Sequence, residues 1–442
     1  MKKTLIALAS VAALGAAHAD VTLYGRLDAN VTSSNHSVPA DPNAGFSVTP
    51  LPAAKNAIAS NQVTAMGSGG LGTSMWGIMG NDKESGAMFK LEAPVNVPFG
   101  TNANGRISNA SYTGVPSTSP YAPQEGSSDG QMFSREATVG IAGSMGVLKL
   151  GRQTTIAADA LGNYDVLGPS VFSPLTFNGG YAGGGFTAEA RWDQAIKYQY
   201  NIMPNIRLDV GYKFGGSSAT FSQGSAFGIG ANIAVTPTLE IYTGYLSNKD
   251  AQNANAGTAV AGSLTEKITF GDTHAGLFAI NWTANSTMRV KAGYEQIVTQ
   301  QPSNPVYDQT INVLSGVAVN AWDVTAYQVP RTENMYWVGF SWDFAPKWTA
   351  NLGLYERDTS TYGTSAAQAT GCSALAAGTT ATICQTSKAQ YQALTVTNDL
   401  SKMTTVYFGL ATNSLSGPAW GTSSATQILP VTSEMVGLRM KF

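Results

Sequence analysis

The chain has 442 residues, with 25 Lys or Arg against 27 Asp or Glu and a formal net charge of −2. That balance excludes a broad nucleic-acid footprint, which needs clustered positive charge. Charged residues make up only 12%, far below the proportion of a typical soluble domain, yet mean hydropathy is −0.04, so apolar residues must be diluted among neutral polar ones.

At the amino end, Met1, Lys2 and Lys3 supply positive charge, Leu5 to Ala17 an apolar stretch, and Ala17-His18-Ala19 a small-residue exit. This order predicts a cleaved export signal over residues 1–19, with a single mature domain over 20–442. The apolar stretch is too short to cross a bilayer as a helix, and no later segment offers about 20 consecutive apolar residues. Immediately downstream, Val21, Leu23, Leu27, Ala29 and Val31 alternate with Thr22, Tyr24, Arg26, Asp28 and Asn30. Period-two alternation predicts a strand with one apolar and one polar face.

The pattern recurs along the chain. Ile206, Leu208, Val210, Tyr212 and Phe214 oppose Arg207, Asp209, Gly211 and Lys213; Met288, Val290, Ala292 and Tyr294 oppose Arg289, Lys291, Gly293 and Glu295. At the carboxyl end, Val436, Leu438, Met440 and Phe442 oppose Gly437, Arg439 and Lys441. Tyr336, Phe340, Trp342 and Phe344 share the apolar parity of one strand, with Trp348 just past its turn, as expected of residues at membrane interfaces.

A soluble sandwich also alternates, so connection lengths decide. Tight links fall at 81–86, 143–146, 201–205, 236–238, 283–286, 345–348 and 401–403. Long polar stretches fall at 32–70, 93–134, 154–190, 249–272, 297–333 and 358–388, with shorter ones near Gly215 and Ser414. Seven turns and eight loops join sixteen strands. The prediction is an all-β, 16-stranded antiparallel transmembrane barrel with short periplasmic turns and long extracellular loops. A barrel of that size encloses an aqueous channel, whereas eight strands are filled by their own side chains.

Parity assigns Arg26, Lys90, Lys149, Lys197, Arg207, Lys213, Arg289, Lys291, Arg357, Arg439 and Lys441 to the lumen, against Asp28, Glu92, Glu136, Asp209, Glu240, Glu295 and Asp343. Arg26, Lys90, Lys149, Arg152 and Arg439 are the candidate basic strip, although Arg152 falls on the side of Leu148 and Leu150. The third long stretch, 154–190, adds Asp159 and Asp165, which would face that strip and set a transverse field across a constriction. Cys372 and Cys384 lie in one polar stretch, and an exported chain permits them to pair.

Other chemistries find little support. Of three His, His18 leaves with the signal, His36 lies in a long loop and His274 starts a strand; no spacing suggests a triad. Gly183 to Gly185 has no following helix pattern, so it reads as loop and not as a phosphate cradle. No cofactor and no enzymatic activity are expected. A substrate-specific channel for a small sugar, nucleoside or carboxylate is the second reading, carried by the lumen-parity aromatics Tyr24, Tyr242, Trp337, Tyr355 and Tyr407.

Four segments carry a family resemblance: V-T-L-Y-G-R-L-D at Val21 to Asp28, S-M-W-G-I-M-G at Ser74 to Gly80, G-V-L-K-L-G-R-Q at Gly146 to Gln153, and the terminal Phe442. Over its mature length the chain resembles the trimeric general diffusion porins of β-proteobacteria of the Burkholderia, Bordetella or Neisseria type. The resemblance implies an outer-membrane homotrimer, amid lipid and lipopolysaccharide, passing ions and small hydrophilic solutes. It further implies that the third long loop, 154–190, folds inward to narrow each channel, and that Phe442 is read by the barrel-assembly machinery. Met79 stands where such porins often carry a lumen-facing Arg, so only a weak anion preference is expected.

Overall fold

The structure, a computed structural model, describes residues 19–35, 62–100, 132–176, 190–215, 222, 224–253, 267–300, 329–360, 387–416 and 431–442. The strands are β1 (Ala19–Asn35), β2 (Gln62–Ser68), β3 (Met75–Asp82), β4 (Ala87–Pro94), β5 (Glu136–Gly143), β6 (Gly146–Thr154), β7 (Arg191–Met203), β8 (Ile206–Lys213) and β9 (Ala226–Thr236). They continue as β10 (Leu239–Asn253), β11 (Lys267–Thr283), β12 (Met288–Gln300), β13 (Arg331–Ala345), β14 (Trp348–Thr359), β15 (Ser387–Asp399), β16 (Thr404–Ser416) and β17 (Val431–Lys441). A single described helix, α1 (Ile156–Tyr164), follows β6.

From β3 to β17 each strand pairs antiparallel with its neighbour in sequence, and β17 pairs back onto β1. The sheet is thus closed, which removes the edge strands that a bilayer cannot satisfy. Sixteen positions around the barrel hold seventeen strands because β2 and β3 share one: β2 pairs with residues 29–35 of β1 and β3 with residues 19–26. All seven expected tight links are hairpins, from the turn after β3 to the turn between β15 and β16.

The expected loop at 32–70 is corrected by β2. Gly67, Gly69 and Gly70 around Ser68 read as loop in sequence, yet Gln62 to Ser68 completes the ladder on β1, and the break falls only at 69–74. There Gly69 takes a φ of +87°, open to glycine, while its N–H donates to the Asp28 carbonyl. Strands also run into other expected loops, β10 to Asn253 and β13 from Arg331. Cys372, Cys384 and His36 lie outside the described residues.

Outward faces expose the apolar parity. Leu23, Val139, Val436 and Leu438 are among the most exposed large apolar side chains, as are Tyr336, Phe340, Trp342, Phe344 and Trp348. Such surface suits lipid and not water. The C-terminus seals the seam: Phe442 N–H donates to the Gly25 carbonyl at 3.0 Å, and Gly25 N–H donates to the Phe442 carbonyl at 2.9 Å. A side chain at Gly25 would strike the Phe442 ring, 2.5 Å from the position of a Cβ.

The buried apolar core sits inside the barrel, between the inner wall and the segment after β6. Inward folding of that loop, implied by resemblance, is what the contacts of residues 155–176 display. Helix α1 starts at Thr155, whose Oγ1 accepts from Ala158 N–H at 3.0 Å, a standard cap for free helix N–H groups. It buries Ile156, Ala157, Ala160, Leu161 and Tyr164 along one stripe, against β8 to β12.

Candidate functional site

Glycines on the lumen parity open the track for this loop. Ile156 lies over Gly211, Gly228 and Gly230, Val166 over Gly339, Leu167 over Gly353 and Phe172 over Gly409. A Cβ at Gly409 would come within 2.1 Å of the Phe172 ring, and one at Gly339 within 2.2 Å of Val166. Farther on, Val171 N–H donates to the Gly70 carbonyl at 3.1 Å, so the loop crosses from β8 to the break between β2 and β3.

Lumen aromatics fasten the loop. Trp337 Nε1 donates to the Tyr164 carbonyl at 2.9 Å, and Tyr355 Oη donates to Asp165 Oδ1 at 2.6 Å. Tyr242 is buried with its ring centroid 5.9 Å from that of Tyr164. Tyr407 Oη donates to Asp28 Oδ1 at 2.6 Å, while Tyr24 Oη donates to Glu92 Oε1 at 2.8 Å. The second reading, a sliding path for a specific solute, is not favoured: Tyr242, Trp337, Tyr355 and Tyr407 are buried anchors. Aromatic parity alone does not distinguish an anchor from a path, because only the covering loop decides exposure.

Both loop carboxylates have local partners. Asp165 is buried; its Oδ1 also accepts from Leu167 N–H at 3.1 Å, and Lys291 Nζ donates to its backbone carbonyl at 3.1 Å. Desolvation pushes the Asp165 carboxyl above the usual carboxylate range, against hydrogen bonds from Ser173, Tyr355 and Leu167 that favour the ion. Asp159 is ion-paired with Lys197 at 2.6 Å and accepts a hydrogen bond from Thr154. Among the described residues of the loop, the exposed Asn163 and Pro169 are neutral.

Opposite lies a wall on β1, β3 to β6 and β17. Lys90 sits 2.9 Å from Glu92 and 2.8 Å from Glu136, Lys149 sits 3.4 Å from Glu136, and Arg135 sits 3.4 Å from Glu92. Glu92 and Glu136 face each other across β4 and β5, a like-charge pair held by the cations around it. Met79 occupies the same wall, directly opposite Lys90 in register and exposed. Asp28 is buried, accepting from Gly70 N–H at 3.1 Å and Leu71 N–H at 2.9 Å, so it fastens the strand break to the wall. Arg26 Nε donates to the Thr73 carbonyl at 2.8 Å, and Arg439 Nη2 approaches Thr405 Oγ1 at 3.5 Å.

Arg152 stands apart from this group. It shares a rung with Ala137, whose neighbours Glu136 and Thr138 take the lumen parity. Buried there, it is paired with Asp193 at 2.5 Å and donates through Nε to the Ser134 carbonyl at 2.6 Å. Arg26, Asp28, Lys90, Lys149 and Arg439 thus lie on one lumen wall, whereas Asp159 and Asp165 belong to the loop. Arg135 was not among the sequence candidates, and Lys291 was assigned to the lumen by parity but not to the basic strip. The signals that pointed to them, a charge at a strand start and a lumen-parity lysine, are shared by many positions. His274 lies on the outward parity, its ring stacked 6.2 Å from that of Tyr245. Among the described residues no group of three His, Cys, Asp or Glu is placed to hold a metal ion.

Comparison with known proteins agrees with this architecture. The chain is 30% identical over 224 residues to an outer membrane porin protein of Bordetella pertussis, covering 48% of each sequence. The chain spans about half the length of the curated relatives it matches. Its fold is similar to that of an anion-selective porin from Comamonas acidovorans, with a TM-score of 0.62 and 19% identity over 96% of this chain and 100% of the other. It is also similar to the trimer form of the outer membrane protein OmpT of Vibrio cholerae, with a TM-score of 0.53 and 14% identity over 96% and 99%. Residues 4–418 match the Gram-negative porin family, and with the closed barrel this makes the chain a member of that family, whose place is the bacterial outer membrane.

Proposed function

We propose that this protein is a general diffusion channel, passing ions and small hydrophilic solutes passively down their gradients with a weak preference for anions. The observation that carries the reading is the closed barrel with a charged inner wall, narrowed by the inward segment after β6. Arg26, Lys90, Lys149 and Arg439, beside Arg135, outnumber Asp28, Glu92 and Glu136 on that wall. A surplus of positive charge in a confined, poorly screened space favours anions. Pairing of the lysines with glutamates weakens that field, in keeping with a weak preference. A water-filled barrel lets solutes follow their own gradients, so the proposed transport is passive.

The same reading takes residues 1–19 as a removed export signal, Phe442 as the residue addressed by the barrel-assembly machinery, and lipid with lipopolysaccharide as the surroundings. A homotrimer is part of it. Strands β3 to β6 have only 8 or 9 residues, and their exposed large apolar side chains, including Val139, Ile141 and Leu150, are aliphatic. Exposed outward aromatics such as Tyr198, Phe278, Trp282, Trp342 and Phe408 lie on other strands. A low wall whose only outward aromatics, Trp76 and Phe89, are half-buried fits another subunit better than lipid.

Planar-bilayer recording of the purified protein under a salt gradient tests the channel. Ohmic current with a small reversal potential of the anion-selective sign is expected. Neutralising Arg26, Lys90 and Lys149 together should move that potential toward cation preference. A protein that inserts but passes no current refutes the reading.

A further inference from the structure

Most lumen cations here have a carboxylate close by: Lys90, Lys149, Lys197, Arg207 and Arg289 all form ion pairs. Arg26 and Arg439 form no such ion pair, although the Asp28 carboxylate acts electrostatically on both. Asp28 lies opposite Arg439 across β1 and β17, and Arg26 lies one same-face step along β1, opposite Lys441. Same-face diagonal neighbours on antiparallel strands are about 7 to 8 Å apart, within reach of long side chains. The two guanidiniums repel each other across that gap. Among the described residues neither is ion-paired with a carboxylate. Asp28 is engaged by Tyr407, Gly70 and Leu71.

Their donors are correspondingly underused. Arg26 commits Nε to the Thr73 carbonyl, and its guanidinium lies flat beside Gly72, with Cζ 3.2 Å from where a Cβ would stand. Nε of Arg439 is a buried donor without an acceptor, and its Nη2 has only the 3.5 Å contact to Thr405. A buried unsatisfied donor is unfavourable, and guanidinium forks match the oxygens of carboxylate and phosphate in pairs. Lys441, exposed beside them, adds a third positive charge.

We propose that Arg26 and Arg439 form an oxyanion-binding subsite on the inner wall, beside the strand break at 69–74, which takes the carboxylate or phosphate group of a small anion in transit. The proposal rests on the channel reading and adds a stop along the path. Occupancy engages the Nη groups of the two guanidiniums, relieves the repulsion between them and slows other anions while it lasts.

The test is the chloride current through the purified full-length protein in planar bilayers, titrated with inorganic phosphate and, separately, with acetate. Saturable reduction of the current is expected. Arg439→Gln should raise the half-saturating concentration about tenfold, the loss of one charge-assisted contact, while Lys388→Gln, at a lysine paired with Glu356 away from this wall, leaves it unchanged. Arg26→Gln provides the same reading should Arg439→Gln fail to assemble. Saturation by phosphate alone assigns a tetrahedral anion, and saturation by acetate alone a carboxylate. A normal chloride current that neither anion saturates, or that saturates identically in both arginine variants, overturns the subsite and leaves the channel standing. No chloride current from the unaltered protein removes both.

Discussion

Val210 and Val436 illustrate how a single parity step sets the solvent of a side chain. Both lie on outward faces; Val436 is 62% exposed, yet its surroundings are hydrocarbon and not water. Arg at either position should destabilise the barrel by about 2 to 4 kcal/mol near the bilayer midplane. Urea unfolding in lipid vesicles measures this, and a change under about 0.5 kcal/mol, ordinary for an indifferent surface position, would falsify the lipid-facing assignment. Lys149→Gln, one residue from the outward Leu150 and across the rung from Gly140, should alter ion preference and barely touch stability. The Glu92 and Glu136 pair belongs to this scale too, since each carboxylate offsets a lysine that would otherwise act on passing anions.

Helix α1 and the residues after it dock on lumen aromatics and on stretches of wall where side chains are absent. Gly211, Gly228, Gly339, Gly353 and Gly409 leave the wall thin where Ile156, Val166, Leu167 and Phe172 press against it. Gly409→Leu should therefore unseat the far half of the loop, seen as raised single-channel conductance or new current steps; unaltered conductance would show that the loop is held elsewhere. Asp165 adds a dependence on pH. Burial raises its pKa, so its contribution to docking is fully present below the ordinary carboxylate range and is lost as pH rises through the raised value. Loop-driven current fluctuations should grow across that interval as pH rises, and Asp165→Asn should flatten the profile. A flat profile in the unaltered protein refutes the assignment.

Across the whole molecule, closure and asymmetry decide the assembly. Pairing of β17 with β1 closes the sheet, and the C-terminal Phe442 against Gly25 completes the seam. Around this barrel the outward aromatics avoid the short sector β3 to β6 apart from Trp76 and Phe89, which are only half exposed. Ile141→Arg should then abolish the proposed homotrimer while preserving monomeric barrels. Native electrophoresis and cross-linking read the outcome, and an intact trimer would place the subunit contact on another sector.

The alternation of most strands and the positions of the seven hairpins were legible from the chain alone. Strand alternation and turn chemistry are local, with a period of two that survives without knowledge of any partner. The destination of each lumen group was not local. Asp159 and Asp165 read as free field charges until Lys197, Tyr355 and Ser173 met them. Trp337 and Tyr407 read as a solute path until the loop and Asp28 claimed them, and Gln62 to Ser68 read as loop until β1 offered a ladder. In each case the deciding contact joins residues far apart in sequence, which only closure of the barrel brings together. The lumen-parity glycines were the one local trace of the loop's course, and their meaning appears only once something is seen to lie over them.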